Sequence, residues 1–333
     1  MTRVAVIGAT SWGTTLAVLL ARNGAEVTLW ARTPQEAQAL DSARESPRRP
    51  GLKFPESMRV SADVIAIREA SVVLLGVTSS TLQWNLDRVV PHTQPVAAVL
   101  SAVKGIEPGT GRRMSELIEA SGVDRNRLLA LSGPNFAGEI ASGLPAATVV
   151  ASVNPGLAKD VQTLLSGPTF RVYTSDDVAG VELGGALKNV VAIACGISDG
   201  LGYGENAKAA LITRALAEIT RLGVAAGARP LTFLGLAGLG DLILTCESDI
   251  SRNRRLGLAL ARGASVEEAM AGIDGVVEGA VTARAVPVLA QKYGVELPIC
   301  AALHAVLYEG LSPSEAVREL MARASRTELD GLG

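Results

Sequence analysis

Residues 3–30, RVAVIGATSWGTTLAVLLARNGAEVTLW, decide the fold. A β-branched run over residues 3–7 stops at Gly8. GATSWG follows, and then TTLAVLLAR places apolar residues at helical spacing and closes on Asn23-Gly24. Residues 27–30 form the next short apolar strand. Strand, glycine turn, helix and strand within about 30 residues make a βαβ unit. Gly8 and Gly13 hold the first and last positions of a GxGxxG turn in the strand-to-helix setting that motif requires. The N–H groups opening that helix would face a dinucleotide pyrophosphate. Thr10 stands where the motif has its middle glycine. Its bulk would keep the pyrophosphate away, unless its hydroxyl caps the helix or meets the phosphate. The alternative is a plain strand-to-helix turn.

Outward from this unit, strands are expected at residues 60–61, 72–77, 97–101, 129–132, 147–151 and 170–173. Helices are expected at 33–40, 62–70, 80–90, 136–142 and 161–165, and residues 41–58, rich in Arg, Pro, Ser and Glu, read as a mobile surface loop. This alternation predicts a Rossmann-like doubly wound, mostly parallel sheet over residues 1–176. Convincing strands then cease. Helical spacing recurs at 181–197, 206–226, 251–262, 265–271, 282–293, 298–309 and 312–322, so residues 177–333 read as an all-helical domain.

The 333 residues suit two domains, and 48% hydrophobic content supplies a large core. A net charge of −2 and 3% aromatics argue against nucleic acid as a partner. The longest uncharged stretch, residues 140–158, is broken by Pro145, Asn154 and Pro155, so no membrane span is expected. The first ten residues lack an apolar stretch of signal-peptide length. Cys195, Cys246 and Cys300 are isolated, apolar-flanked and odd in number. They read as reduced core thiols in a cytoplasmic protein without a metal site.

Several residues are candidates for chemistry. The second strand ends Trp30-Ala31-Arg32, with no acid for a ribose 2′-hydroxyl, so Arg32 favours the 2′-phosphate of NADP while leaving NAD possible. Lys104 follows a strand at the carboxyl edge of the sheet, where ligands bind. Lys188 lies in LGGALKNVVAIA, a helix otherwise apolar on nearly every face. Desolvation and a second nearby cation would lower its pKa and suit it to proton transfer. Asp241 lies in the glycine-rich turn GLAGLGD beside an apolar run. In SRNRR, residues 251–255, Ser251 reads as a helix cap with Arg252 and Asn253 beside the open N–H groups, a phosphate site by composition. His92 and His304 stand in no turn at the sheet edge, so a histidine acid–base mechanism lacks a candidate.

Together VAVIGATSWGTTLA, AVKGIE, LSGPNFAGEIASGLPAATVVAS, the Lys188 helix, LAGLGDLILTC, SRNRRLG and VVEG resemble the bacterial NAD(P)-dependent glycerol-3-phosphate dehydrogenases, essentially end to end. The resemblance implies a fold like that of 6-phosphogluconate dehydrogenase. It implies reversible reduction of dihydroxyacetone phosphate to sn-glycerol 3-phosphate for glycerophospholipid synthesis. It implies cofactor contacts at Ser11, Trp12, Arg32, Lys104, Ala137, Arg252, Val276 and Glu278, beside the turn Gly8–Gly13. It implies substrate contacts at Lys104, Gly133, Asn135, Lys188, Asp241, Ser251, Arg252 and Asn253. Lys188 matches the acid–base residue, with Lys104 and Asp241 as catalytic companions. Thr10 and Asn135 depart from the pattern, which carries Gly and Thr or Ser there. A homodimer, a related dehydrogenase of another phosphorylated or hydroxy-acid substrate, and a non-catalytic nucleotide sensor remain open alternatives.

Overall fold

In a computed structural model, which describes residues 1–325, 327 and 328, the chain forms two compact units. Residues Met1–Val103 and Met114–Val178 make the first, and Lys104–Arg113 with residues from Ala179 onward the second. The sequence reading draws one boundary at residues 176 and 177 and does not foresee that Lys104–Arg113 packs with the second unit. The expected end of the second domain at 333 lies outside the described residues.

The first unit is an eight-stranded sheet. Its strands are β1 (Arg3–Ile7), β2 (Glu26–Trp30), β5 (Met58–Ser61), β6 (Val72–Leu75), β7 (Ala98–Ser101), β8 (Leu128–Ser132), β9 (Ala146–Ala151) and β10 (Phe170–Ser175), while β3 (Glu45–Ser46) and β4 (Arg49–Lys53) form a separate antiparallel pair. The order is β10-β9-β8-β7-β6-β1-β2-β5, parallel throughout except between β8 and β9. Side chains alternate between the faces of a strand. Val4 and Val6 of β1 therefore enter one core layer while Ala5 and Ile7 enter the other, and β6 divides Val72 and Leu74 from Val73 and Leu75 in the same way. Both faces are covered, as a parallel sheet requires. Helices α1 (Ser11–Arg22), α2 (Pro34–Ala43), α3 (Leu82–Val89), α4 (Met114–Ala120), α5 (Ala137–Ala141) and α6 (Pro155–Leu165) complete the layers.

Two expectations for this unit are corrected. Residues 62–70 form only a short 3₁₀ turn, Val64–Ile67. Residues 41–58 are built structure rather than a loose loop. Leu52, Phe54 and Met58 are buried in the core, and Arg44 donates to the carbonyls of Pro55 and Met58 at 2.6 and 2.7 Å. The polar composition of this stretch hides three anchoring side chains.

The second unit is helical. Its central helix α7 (Val178–Gly200) is 23 residues long and apolar enough to cross a bilayer by length and composition, yet it forms the middle of a protein core. Ala186, Leu187, Val190, Val191 and Ile193 have no exposed surface. Around it lie α8 (Gly204–Ala225), α9 (Asp241–Glu247), α10 (Arg252–Ala261), α11 (Val266–Ala271), α12 (Glu278–Ala283), α13 (Val286–Tyr293), α14 (Pro298–Tyr308) and α15 (Pro313–Met321). Residues 282–293, expected as one helix, break at Arg284-Ala285 because Pro287 fits the first turn of α13 but not a helix interior. The expected turn before Asp241 is helical: a π turn, Leu236–Gly240, runs directly into α9.

Glu218 of α8 accepts from the N–H groups of Ile299 and Cys300 at 2.8 and 3.3 Å, capping the buried start of α14. Burial pushes this carboxyl up to about 7, against the pull of those N–H groups and of Arg221. The folded chain therefore holds the proton more tightly than an unfolded one, whose carboxyl has a pKa near 4.5. Glu218 costs nothing extra below that pH and progressively more stability up to about pH 7. The melting temperature of Glu218→Gln relative to the parent chain should rise across this window and level off above it. A difference that stays flat from pH 4.5 to 7.5 would refute the burial argument.

Candidate active site

The glycine turn of the first unit is set by two contacts. Gly8 has φ +105°, a region L side chains avoid, and its N–H donates to Trp30 O at 3.2 Å. A Cβ at Gly13 would lie 2.2 Å from Gly8 O, so only glycine lets α1 start this close to β1. Thr10 is the N-cap of α1. Its Oγ1 accepts from Gly13 N at 3.0 Å and donates to Gly76 O at 2.5 Å, so the hydroxyl faces the end of β6. Of the alternatives for Thr10, the cap is the one observed. Ser11 and Trp12 open α1, and Trp12 lies half-buried against the core. A tight turn delivering helix-start N–H groups fits the pyrophosphate of a dinucleotide.

Arg32 is exposed beyond β2, and an acid does stand there. Glu36, in the first turn of α2, accepts from Arg32 N at 3.2 Å and from Arg48 Nη1 at 3.1 Å. The signal was legible in Thr33-Pro-Gln-Glu36, a capping sequence whose glutamate reaches back toward the entering backbone. Ala137 opens α5, and its carbonyl accepts from Thr15 Oγ1 at 3.4 Å. Beyond β8, Gly133 has φ +153°, and a Cβ there would press 3.0 Å from Thr148 Cα. Asn135 Nδ2 donates to Thr148 Oγ1 at 2.8 Å, while its buried Oδ1 lacks a partner.

The second unit gathers charges around one carboxylate. Lys188 Nζ donates to Asp241 Oδ1 at 2.7 Å and to Thr245 Oγ1 at 2.6 Å, and Lys104 Nζ donates to Asp241 Oδ2 at 2.6 Å. Asp241 is 1% exposed and Lys188 6%. Close packing makes the meeting possible, since a Cβ at Gly184 of α7 would lie 2.7 Å from Ala237 O in the π turn before Asp241. Lys104 arrives on Lys104–Arg113, a segment held by the buried Ile106 and by Arg113 pairing with Glu182 at 2.8 Å. Burial lowers the Lys188 pKa to about 8; the positive charge of Lys104 pushes the same way, and Asp241 opposes both. Thr245, one turn beyond Asp241, is a site residue that the sequence reading missed.

Ser251 caps α10, as its type and place suggest, accepting from Arg254 N at 3.3 Å. Arg252 is exposed and lies against Gly275, where an added Cβ would come within 2.6 Å of its Nη1; Val276 is the next residue. Asn253 turns inward. Its Nδ2 donates to Asn189 Oδ1 at 2.8 Å and its Oδ1 accepts from Gly279 N at 2.9 Å, which fixes the start of α12 beside Glu278. Arg254 is held by Asp199 and Asp249 at 2.7 and 2.6 Å, so it braces the helices. His92 lies near Arg68, and His304 is held on Ala283 O, both apart from these groups.

The family model for the NAD-dependent glycerol-3-phosphate dehydrogenase N-terminus matches residues 3–158, and that for the C-terminus matches residues 177–318. The chain belongs to the NAD-dependent glycerol-3-phosphate dehydrogenase family. It is 50% identical over 328 residues, 98% of each chain, to glycerol-3-phosphate dehydrogenase (NAD(P)+) of Thioalkalivibrio sulfidiphilus. The corresponding protein of Symbiobacterium thermophilum is 49% identical over 330 residues, covering 98% of this chain and 96% of the relative. The crystal structure of glycerol-3-phosphate dehydrogenase from Coxiella burnetii superposes with a TM-score of 0.92 at 40% identity, over 97% of this chain and 99% of that one.

Proposed function

We propose that this dehydrogenase interconverts dihydroxyacetone phosphate and sn-glycerol 3-phosphate, with Lys188 moving the proton. The cluster of buried Lys188, Asp241 and Thr245 with half-buried Lys104 is the observation that carries this reading. The nicotinamide dinucleotide, when bound, supplies a hydride to the ketone carbon. Hydride addition builds negative charge on the carbonyl oxygen, and an ammonium with a pKa of about 8 can protonate it near neutral pH. Asp241 and Thr245 orient Lys188 Nζ. Two lysines on one carboxylate leave a net positive charge for the developing oxyanion. Arg252, beside the Ser251-capped helix start, supplies the phosphate anchor, and phosphate binding orients the ketone for reaction. The remaining assignments follow the same division, with Gly133 and Asn135 toward substrate and with Ala137, Val276 and Glu278 toward cofactor. Asn253 acts through the placement of Glu278 and keeps one amide hydrogen for substrate. The reading places the enzyme in the cytoplasm, feeding glycerophospholipid synthesis, where the buried thiols Cys195, Cys246 and Cys300 stay reduced.

For the cofactor, Arg32 supports a preference for NADP, while Glu36 beside it is an acid able to take a ribose 2′-hydroxyl and so supports use of NAD.

Lys188→Met should keep cofactor binding and lose ~10²–10⁴-fold in kcat. The parent enzyme's ketone reduction should decline as pH rises past about 8, where Lys188 gives up its proton, and the variant should lack that break. Near-parental kcat in the variant would exclude Lys188 as the acid. Arg252→Ala should weaken turnover of dihydroxyacetone phosphate far more than that of unphosphorylated dihydroxyacetone; matching losses on both would remove Arg252 from the phosphate. Arg32→Gly should raise the Kd for NADPH more than that for NADH, and equal losses in the two titrations would reject a 2′-phosphate contact.

A further inference from the structure

The hairpin of β3 and β4 carries two arginines to the glycine turn. Arg48 Nη1 donates to Ala9 O at 3.3 Å, inside the turn, and to Glu36. Arg49 Nε donates to Ser11 Oγ at 2.5 Å, on the first residue of α1. On its other side Arg49 lies against α5, where a Cβ at Gly138 would come 3.0 Å from its Nη1. Ala137, the preceding residue, opens α5, and its carbonyl accepts from Thr15 Oγ1 of α1 at 3.4 Å. Arg49 thus lies between Ser11 and Ala137-Gly138. The hairpin itself is fixed: Gly51 N donates to Glu45 Oε1 at 3.0 Å, Lys53 pairs with Glu45, and Leu52 and Phe54 are buried.

The turn has a matching shortage. A helix start offers a few N–H groups without intrahelical partners, and these receive the phosphates. Here Thr10, in the middle-glycine position, takes the N–H of Gly13. The groups of Ser11 and Trp12 remain at the start of α1. A side chain at residue 10 also limits how closely backbone can approach a phosphate, which is the purpose of a glycine there. A guanidinium held on Ser11 restores both charge and donors at that spot.

We infer that Arg49 is a cofactor-binding residue whose guanidinium holds the dinucleotide pyrophosphate, the charged group common to NADPH and NADH. This rests on the dinucleotide reading of the turn. It differs from the role of Arg32, because a pyrophosphate contact does not distinguish the two cofactors.

Fluorescence or calorimetric titration of Arg49→Gln with NADPH, NADH and ADP-ribose tests it. Loss of a charge-assisted contact should raise Kd about tenfold for all three, by a similar factor. Arg49→Lys, which keeps the charge, should recover much of the loss, and both variants should melt close to the parent without cofactor. Parental affinities in Arg49→Gln would overturn the assignment. So would a loss confined to NADPH, which would move Arg49 to the 2′-phosphate, or equal losses in Arg49→Gln and Arg49→Lys, which would make its role one of shape. A parent chain that titrates with none of the three would overturn the dinucleotide reading itself, and the role of Arg49 with it.

Discussion

Asp241 holds one ammonium on each of its oxygens, and much of the second unit is arranged to make that sharing possible. The carboxylate is 1% exposed, so its charge must be compensated where it stands. One lysine comes from the middle of the core helix, the other from a ten-residue segment that leaves the chain of the sheet after β7. Glycine at 184 lets α7 approach the π turn closely enough for Lys188 to reach. Ile106 and the Arg113–Glu182 pair fasten the segment that brings Lys104. Buried ion pairs are weak devices for stability, because desolvation offsets most of the attraction. Such an arrangement is better explained by chemistry than by folding.

The first unit obeys a different constraint, the close approach of α1 to β1. A strand ending at Ile7 must turn through Gly8 at positive φ and present Gly13 against Gly8 O. These two contacts fix where the helix-start N–H groups point. The middle position is less constrained: Thr10 has φ −73° and ψ 168°, an ordinary extended backbone, so nothing in the turn's own geometry demands glycine there. A glycine at that position answers to the ligand. Its replacement is therefore tolerated by the fold, and any compensation must come from residues that also face the ligand.

The sheet was legible because its strands are short apolar runs between turn signals, and Lys188 was legible as a lone cation on a buried helix. What escaped the reading has physical causes. The hairpin of β3 and β4 is anchored by Leu52, Phe54 and Met58, too sparse among Arg, Pro and Ser to show a period. Residues 235–241 read as a turn because glycine usually breaks helices. Here Gly238 serves packing, since a Cβ on it would lie 2.1 Å from Phe233 O. Once α9 begins at Asp241, Thr245 falls on the same helix face one turn later, which the turn reading could not place. Asn253 looked like a phosphate ligand from SRNRR alone. Its partners, Asn189 and Gly279, lie 64 and 26 residues away in sequence, and no local pattern announces them.

The division of Asp241 between two cations also bears on the acid role proposed for Lys188. A buried lysine alone would shed its proton, since desolvation disfavours the charged form. A buried lysine with a carboxylate to itself would keep the proton and be a poor donor. In this site Asp241 counters desolvation for Lys188 while also serving Lys104, whose charge pushes Lys188 back down. The balance leaves the ammonium at a pKa of about 8, charged at neutral pH yet ready to give the proton to an oxygen that gains negative charge. Thr245, accepting from Lys188 and itself donating to Asp241 O, holds the amine in line without adding charge, so orientation is fixed while the proton affinity stays low.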